Sequence, residues 1–565
     1  MRSVRDAGGY SARLLVAAAL LAGAGLALQR PAAGQPPPAS RLSPPAADAS
    51  ITADDLRREV GFLASDAMRG RLTATPENAA AARYIAEQFE RHGLRAVGPG
   101  ASYRHTVDLV VAAQEPGNTL LADGGGQVES AELSRDFFPA PFSAAGSAAG
   151  PVAFAGFGIT AAGLAHDDYR QADVNGKVVL LLDHEPGEFD PQSRFAGVVR
   201  SEHGSAIRKV LEAQRRGAIA VAIAPDVHNH ARWWTIPDLA SRAWPSSPPR
   251  VPLYQLAAWV DQVRIPVVRI SAALAERLAA AAGRTLQELG AHAETAGGAA
   301  VVDLSGVTLE MTTALRHETT PVDNVVGLIE GADAALRDEW IIVCAHYDHE
   351  GAIGTRIFNG ADDDASGVAG LLEIAEAYAV AAAAGRRPRR SILLAAWNAE
   401  EQGLLGAWGY TERPLAPLED TVAVINMDMI GRSEEVPAGG GYRFAGLEPQ
   451  TAESNRNAVN IIGSTFSADL RAATGAANRS ARLDLRFRYD NNRSNLLRRS
   501  DHWPFLFNEV PAIFVHTGLH PDYHTERDHP DTLDYDKMAR VVQLAYGLSW
   551  DLAQGGPRPA FDSPR

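Results

Sequence analysis

The sequence has almost no cysteine, and this limits how the chain can be stabilised. Cys344 is the one cysteine among 565 residues, so no intrachain disulfide can form. It lies in the apolar run IIVCAHYD, where we expect a small buried hydrophobic residue rather than a nucleophile. Without disulfides, the fold must depend on its apolar core or on bound metal.

The sequence also lacks an excess of basic residues. Its 53 lysine and arginine residues stand against 68 aspartate and glutamate residues, which gives a formal net charge of −15. Because phosphate binding needs a basic footprint, this balance argues against a nucleic-acid partner. We expect the run GRRPRR, residues 385–390, to be a solvated turn between a helix and a strand.

The first apolar run lies close to the N-terminus. Arginines at positions 2, 5 and 13 precede the apolar stretch Leu14–Leu28, and small residues follow around Ala32. This order is typical of a secretory signal peptide, and the stretch is shorter than the roughly 20 residues that span a bilayer. We therefore expect export to the periplasm or the extracellular space, with no stable membrane anchor after signal cleavage.

The chain is too long for one ordinary core, and its composition changes along its length. We expect five segments: a signal peptide over 1–34, an extended Pro-rich linker over 35–50, the first part of the main domain over 51–129, an inserted β-rich domain over 130–298, and the remainder of the main domain over 299–555.

The inserted segment is expected to have no chemistry of its own. Its short β-like runs are separated by glycine and proline, and one helical pattern extends from Ser205 to Arg216. His203, His228 and His230 lie in predicted loops without a fixed spacing, as solvated histidines commonly do.

Four apolar runs in the last segment predict buried strands. A helical pattern from Val368 to Ala384 separates the first two, and strands that alternate with helices predict an α/β fold. We expect a mostly parallel mixed sheet that is sandwiched by helices. The predicted strands are Ile341–Ala345, Ile392–Trp397, Val422–Ile425 and Ala512–Val515.

Potential metal ligands follow all four strands. Because ligands bind beyond the carboxyl ends of strands in open α/β sheets, these side chains are expected to share one site. The motifs are HYDH (346–349), NAEE (398–401), NMD (426–428) and, after a loop, YH (523–524).

The loop after the first strand adds three consecutive aspartates, Asp362, Asp363 and Asp364. Three adjacent carboxylates repel one another unless a cation compensates for their charge. The spacing of an EF-hand calcium loop is absent, and a mixture of imidazole nitrogens and carboxylate oxygens suits zinc better than calcium. Cobalt and manganese are alternatives.

In this order the motifs resemble a known family, the di-zinc metallopeptidases of secreted bacterial leucyl aminopeptidases and glutamate carboxypeptidases. The resemblance covers Val322–Leu533 and, more weakly, Ile51–Pro99. It implies a zinc-aminopeptidase-like fold, and the inserted segment resembles a protease-associated domain, of which the phrase VNGKVVLLL is typical. The motifs are HYDH, GADDDASG, NAEEQGLLG, NMDMIG, RSDHWPF and DYHTERD.

The resemblance also implies two zinc ions and a role for each ligand. His346 and Asp428 would hold one zinc ion and Glu401 and His524 the other, while Asp363 would bridge the two ions. This shell would bind a hydroxide that attacks the peptide bond.

Two further carboxylates have implied roles beside the metal ligands. Glu400 would be the general base and acid, and Asp348 would orient His346. Asp501 and His502 also match the family, although a helix cap and packing would explain them equally well. Some aminopeptidases of the family have a tyrosine oxyanion donor where this chain has Leu497, and Arg498 is a substitute to consider.

The resulting expectation is a secreted aminopeptidase that acts on peptides. A glutamate carboxypeptidase-like exopeptidase and a glutaminyl cyclase-like acyltransferase remain alternatives, as does a binding protein comparable to the transferrin receptor. The sequence leaves the side-chain preference and the oligomeric state open.

Overall fold

The structure is a computed structural model that describes residues 45–195, 197–230, 235–247, 249–295 and 297–562. The predicted signal peptide, residues 1–34, and most of the predicted linker lie outside these ranges.

The α-helices of the described residues are α1 Pro45–Ser50, α2 Ala53–Leu63, α3 Pro76–Arg91, α4 Ala206–Arg215, α5 Ile236–Ala243, α6 Ala257–Val260, α7 Ala272–Ala281, α8 Leu286–Thr295, α9 Gly367–Ala383, α10 Leu405–Glu412, α11 Ala468–Ala481, α12 Trp503–Phe507 and α13 Tyr535–Ala553.

The strands are β1 Arg95–Ala96, β2 Arg104–Gln114, β3 Thr119–Gly124, β4 Gln127–Ser130, β5 Phe137–Pro139, β6 Gly146–Ala155, β7 Thr160–Ala161, β8 His166–Asp167, β9 Val178–Leu182, β10 Ala220–Ala224, β11 Gln255–Leu256, β12 Val267–Ile270, β13 Val301–Thr313, β14 Leu315–Ile329, β15 Trp340–His346, β16 Ala352–Ile353, β17 Arg356–Ile357, β18 Ser391–Trp397, β19 Thr421–Met427, β20 Ala458–Ile462, β21 Asp484–Arg486 and β22 Ala512–His516.

The main sheet has the order β11-β2-β14-β18-β15-β19-β22-β20-β21, with β1 paired to β14. Its centre consists of the four predicted strands, β18, β15, β19 and β22, which run parallel. Antiparallel pairs flank this centre on both sides. The predicted mixed α/β fold is therefore confirmed.

Helices cover both faces of the main sheet. Along β15, Ile341 and Val343 pack into a core with α2, α3, α9, α11 and α13, while Ile342 and Cys344 pack with α10 and α12 on the other face. Cys344 is fully buried, as its apolar context predicts. Burial on both faces explains why these strands are continuous apolar runs.

A second sheet has the order β4-β3-β13-β6-β9-β10-β12-β5. The pairs β6–β9, β9–β10 and β10–β12 are parallel, and α4, Ala206–Arg215, matches the helical pattern predicted from Ser205 to Arg216. Because β3 and β13 are paired, the sheet extends past both predicted ends of the inserted segment, residues 130–298.

The end of the predicted linker is helical rather than extended. Residues Pro45–Ser50 form α1, and Ala47 is fully buried in the core of the main sheet. Proline is tolerated in the first turn of a helix, so Pro45 does not oppose this conformation. Burial of Ala47 therefore determines the structure of this part of residues 35–50.

The helical segment Ala361–Ala383 is long and apolar enough to cross a membrane by length and composition. Its most apolar window is 78% buried inside the protein, as expected for a core helix. The segment begins with the three aspartates, continues as α9 and packs against β15.

Candidate metal centre

The parallel strands deliver the predicted ligands to one edge of the main sheet. His346 is the last residue of β15, and Asp428 follows β19 directly. Glu401 lies in the turn after β18, and His524 lies in the loop after β22. Because neighbouring parallel strands end at the same edge, these side chains meet there.

Asp363 lies between the two histidines. Its Oδ1 is 3.2 Å from His346 Nε2, and its Oδ2 is 3.0 Å from His524 Nε2. Asp428 Oδ1 approaches the first histidine to 3.8 Å, and Glu401 Oε2 approaches the second to 3.2 Å. The structure thus brings all five predicted ligands together. Asp363 is shared between one group, His346 with Asp428, and a second group, His524 with Glu401.

The donor atoms of this cluster fit metal ligation. His346 Nε2 and His524 Nε2 are buried and make no hydrogen bond, although carboxylate oxygens face both. Buried polar atoms almost always have a partner, and imidazole nitrogens beside carboxylates form a typical zinc environment. The same convergence is found around His346, Asp363 and Asp428, and around Glu350, Glu401 and His524.

The electrostatics of the cluster also favour a cation. Burial lowers the pKa of His346, but Glu400 and three aspartates raise it well above its ordinary value. Burial raises the pKa of Glu400 far above its ordinary value, against the effect of His346, and Glu401 and Asp428 raise it further. Both shifts reflect an excess of negative charge away from solvent.

The other two aspartates of the triplet have different partners. Asp362 accepts the backbone N–H of Gly431 at 2.6 Å and lies 3.2 Å from His520. Asp364 accepts the backbone N–H of His346 and of Gly367 at 3.1 and 2.8 Å. These contacts turn both carboxylates away from His524 and leave Asp363 as the shared group.

Asp348 contacts the turn that contains Glu400 and Glu401 more closely than it contacts His346. Its carboxylate accepts the backbone N–H groups of Glu400 at 3.0 Å and Glu401 at 3.3 Å, and the hydroxyl of Thr73 at 3.1 Å. The carboxylate is 3.7 Å from His346 Nδ1, whereas the backbone oxygen of Asp348 is at 3.2 Å. The hydrogen bond that orients the imidazole thus comes from the main chain.

Several supporting residues were not singled out in the sequence, although each lies within one of its motifs. The Ser500 hydroxyl donates to Asp428 Oδ2 at 2.5 Å, and His349 Nδ1 lies 2.7 Å from Glu401 Oε1. Asp528 accepts the backbone N–H of Asp363 at 3.1 Å. The HYDH motif includes His349 and was the one available hint for it.

Arg71 supports the same loops from the N-terminal part of the chain. It is fully buried and donates to the backbone oxygens of Leu63, Tyr347, Asn359 and Gly360. It therefore joins the end of β15 to the segment that carries the three aspartates.

The basic residue beside the site is Arg499 and not Arg498. Arg498 lies over the ring of Trp503, with its Cζ atom 4.4 Å from the ring centroid, and Leu497 is buried in the core. Arg499 instead donates to the hydroxyl of Tyr523 at 3.0 Å. The structure therefore does not place Arg498, the substitute donor considered from the sequence, beside the site, because successive residues of this turn point in different directions.

Asp501 and His502 do not form the suggested helix cap. His502 occupies the N-cap position of α12, but its side chain makes no capping bond. Burial lowers the pKa of His502 to about 3, so the imidazole is neutral. The carboxylate of Asp501 is fully buried without a hydrogen-bond partner in the described part of the chain.

A small pocket opens onto the cluster. Its walls combine apolar side chains with the charged groups described above, and its volume of about 20 Å³ holds about one water molecule. It is lined by Asp363, Glu400, Asp428, Met429, Leu496, Arg499, Phe514, His516, Leu519, Tyr523 and His524.

A family comparison covers the part of the chain that contains this centre. The profile of peptidase family M28 matches residues 324–549, which contain all five predicted ligands. The predicted resemblance to a peptidase family is thereby confirmed for this part of the chain.

Curated relatives resemble the chain over different lengths. A probable glutamate carboxypeptidase of Arthroderma benhamiae is 34% identical over 22% of this chain and 16% of its own length. Aminopeptidase NAALADL1 of Mus musculus is 40% identical over 20% of this chain and 14% of its own length. A probable zinc metalloprotease of Pyrenophora teres f. teres is 26% identical over 57% of this chain and 74% of its own length. The chain thus spans less than a fifth of the length of the first two.

Among solved structures, the aminopeptidase from Aneurinibacillus sp. strain AM-1 is 19% identical to this chain. The alignment covers 92% of this chain and 98% of that chain, with a TM-score of 0.45.

Proposed function

Because residues 324–549 match peptidase family M28, we propose that the protein is a secreted zinc exopeptidase that removes N-terminal residues from peptides. The observation that carries this proposal is the position of Asp363, with one carboxylate oxygen towards His346 and the other towards His524. Export rests on the N-terminal signal pattern of the sequence.

The five ligands would hold two zinc ions. His346 and Asp428 would bind one ion, Glu401 and His524 the second, and Asp363 both. Such a metal pair supplies an acidic water molecule and polarises the scissile carbonyl. The mixed imidazole and carboxylate donors support zinc, as does the name of the Pyrenophora relative.

Glu400 is positioned to move the proton. Its side chain is 8% exposed and lines the pocket, and its Oε2 is 3.9 Å from His346 Nε2. The bond from its backbone N–H to Asp348 holds the turn in place. Glu400 would take the proton of the attacking water and return it to the leaving amine.

The pocket supports recognition of a free amine. Asp363 and Asp428 would bind zinc, but the Glu400 carboxylate also lines the pocket and can accept a hydrogen bond from the amino group of a substrate. The mouse relative, which shares 40% identity in its matched part, is named an aminopeptidase.

A carboxypeptidase is the second candidate because Arg499 lines the same pocket. A guanidinium can bind the terminal carboxylate of a peptide through paired hydrogen bonds. The name of the Arthroderma relative supports this alternative.

A substrate panel distinguishes these two activities. Purified protein with zinc would be assayed on matched peptides that have a free or acetylated N-terminus and a free or amidated C-terminus. We expect cleavage of every substrate with a free amine, whatever its C-terminus, and no cleavage of acetylated ones. Cleavage that requires the free carboxylate would instead establish the carboxypeptidase, and the Glu400→Gln variant controls for contaminating peptidases.

A further inference from the structure

A second group of metal-binding side chains lies on the second sheet. Strands β9 and β10 are adjacent and parallel, so the loops that follow them begin at the same edge. The first loop carries His184 and Glu188, and the second carries Asp226 and His230. One potential ligand atom from each of the four residues lies within 4.8 Å of the others.

Three of these side chains meet at very short distances. His184 Nδ1 is 2.7 Å from His230 Nε2 and 2.7 Å from Glu188 Oε2. His230 Nε2 is also 3.1 Å from that same carboxylate oxygen. The two ring nitrogens and the oxygen thus form a triangle of close contacts.

Protons alone cannot satisfy this triangle. If both nitrogens donate to Glu188, two N–H groups face each other across 2.7 Å. If His184 donates to His230, the acceptor nitrogen of His230 faces the carboxylate oxygen without a proton between them. Every neutral tautomer leaves one repulsive contact, whereas a cation between the three atoms makes all of them favourable.

The surrounding contacts hold both loops in place. Lys209 Nζ donates to the backbone oxygens of Leu182 and His184 at 2.9 and 2.5 Å. Asp226 accepts the backbone N–H groups of His228 and Asn229 at 3.0 and 3.2 Å. The backbone of His184 itself is left-handed, with φ at 64°. Such strained conformations are concentrated at functional sites.

The cluster is shielded but can be reached from solvent. The Glu188 side chain is 6% exposed, while those of His184 and His230 are 27% and 19% exposed. His184, Asp226 and His230 also line a cavity of about 1030 Å³, which gives an ion a way in.

We propose that His184, Glu188, Asp226 and His230 bind one divalent transition-metal ion, such as zinc. Two imidazoles and two carboxylates provide the four protein ligands of a closed structural site. The ion would join the loops that follow β9 and β10. It would be separate from the centre at the edge of the main sheet, since the two groups share no ligand.

Metal content tests the proposal in the full-length protein. Chelator-treated protein would be reloaded with excess zinc, desalted and analysed for metal by mass spectrometry. We expect His230→Ala to contain one zinc ion fewer per chain than the matched control His228→Ala. His228 contacts Gln287 at 3.3 Å and is not one of the four ligands. Equal zinc content in the two folded variants would overturn the proposal.

Hydrogen exchange gives a second test, in a protein that keeps all four proposed ligands of the second sheet. In an Asp363→Ala background, which disables the other centre, zinc should slow amide exchange about tenfold in peptides covering 183–190 and 225–230. The same peptides should not respond in Asp363→Ala/His230→Ala. Unchanged exchange of both peptides on zinc addition in the Asp363→Ala protein would also overturn the proposal.

Discussion

At the scale of single residues, Glu400 provides the most direct test of the proposed chemistry. Glutamine has nearly the same shape but cannot accept a proton, so Glu400→Gln should lower kcat by about 10²–10⁴-fold. The zinc content should stay unchanged, because Glu400 lies beside the ligands and is not one of them. Steady-state kinetics and metal analysis of the same sample measure both quantities.

The exposed Glu448 offers a matched control, since Glu448→Gln makes the same chemical change at a residue that is exposed to solvent. Glu400→Gln protein that turns over like this control would contradict the assignment of Glu400 as the base.

Two neighbouring arginines should respond differently to the same substitution. Arg499 lines the pocket and hydrogen-bonds to Tyr523, whereas Arg498 packs on Trp503 away from the ligands. A hydrogen bond to a charged group contributes about 1.5–3 kcal/mol, so Arg499→Gln should reduce kcat/KM by about 10–100-fold. Arg498→Gln should lower the melting temperature and leave kcat/KM within about twofold. A reversed pattern of kcat/KM would contradict a contact between Arg499 and the substrate.

The sequence identified most of the candidate ligands because they follow a feature that can be recognised. His346, Glu401 and Asp428 come at the ends of apolar runs that form the central strands. Arg71 had no such signal, since its bond to the backbone oxygen of Tyr347 joins residues 276 positions apart. Contacts of this kind depend on the folded chain and have no local pattern. The roles of Glu400 and Asp348 remain predictions.

At the scale of elements, burial explains which parts of the fold could be predicted. The central strands and α9 are almost entirely apolar because neighbouring elements cover them on all sides. The partly exposed strands β2 and β14 have mixed burial and escaped prediction. The helix α1 was predicted as extended linker because its sequence, PAADAS, shows no clear period. Its helical structure depends on the packing of Ala47 into the core, which the sequence does not reveal.

Helix α9 contains one buried acid that should make stability depend on pH. Burial, and then Asp55, raises the pKa of Glu373 to about 8, although the backbone N–H of Thr52 donates to it at 3.4 Å. The folded state therefore keeps a proton that the unfolded chain releases near pH 4.5. The stability that this proton contributes is complete below pH 4.5 and is lost as the pH rises through 8.

Glu373→Gln should consequently raise the melting temperature at pH 9 and change it little at pH 4.5. Glutamine removes the charge but can still accept the Thr52 hydrogen bond. Thermal unfolding of the wild type and the variant at both pH values gives the comparison, with Glu376→Gln on the same helix as the control. An equal change at both pH values would show that the charge of Glu373 is not responsible.

At the scale of the whole molecule, both candidate metal sites follow from one structural rule. In each sheet, adjacent parallel strands bring their following loops to one edge, and histidines and carboxylates from distant segments meet there. His230 was set aside in the sequence, together with His203 and His228, because these histidines have no fixed spacing. The proximity of His230 to His184 arises from the pairing of β9 with β10, which no spacing within one loop can show.

Removal of zinc should destabilise the whole chain, which has no disulfide to compensate. A ligand that binds the folded state alone stabilises it by about 2.7 kcal/mol at 100 times its Kd. Without a cation, Asp363 and Glu401 also repel each other across the buried cluster. We expect a chelator to lower the melting temperature, zinc to restore it, and magnesium to have little effect, because magnesium disfavours imidazole ligands.

Asp363→Asn should lose most of this zinc response, whereas the exposed control Asp338→Asn should keep it. A chelator-treated wild type that unfolds at the same temperature with and without zinc would contradict the proposed zinc centre. If zinc raises the melting temperature of His230→Ala but not of Asp363→Asn, the stabilisation comes from the centre on the main sheet.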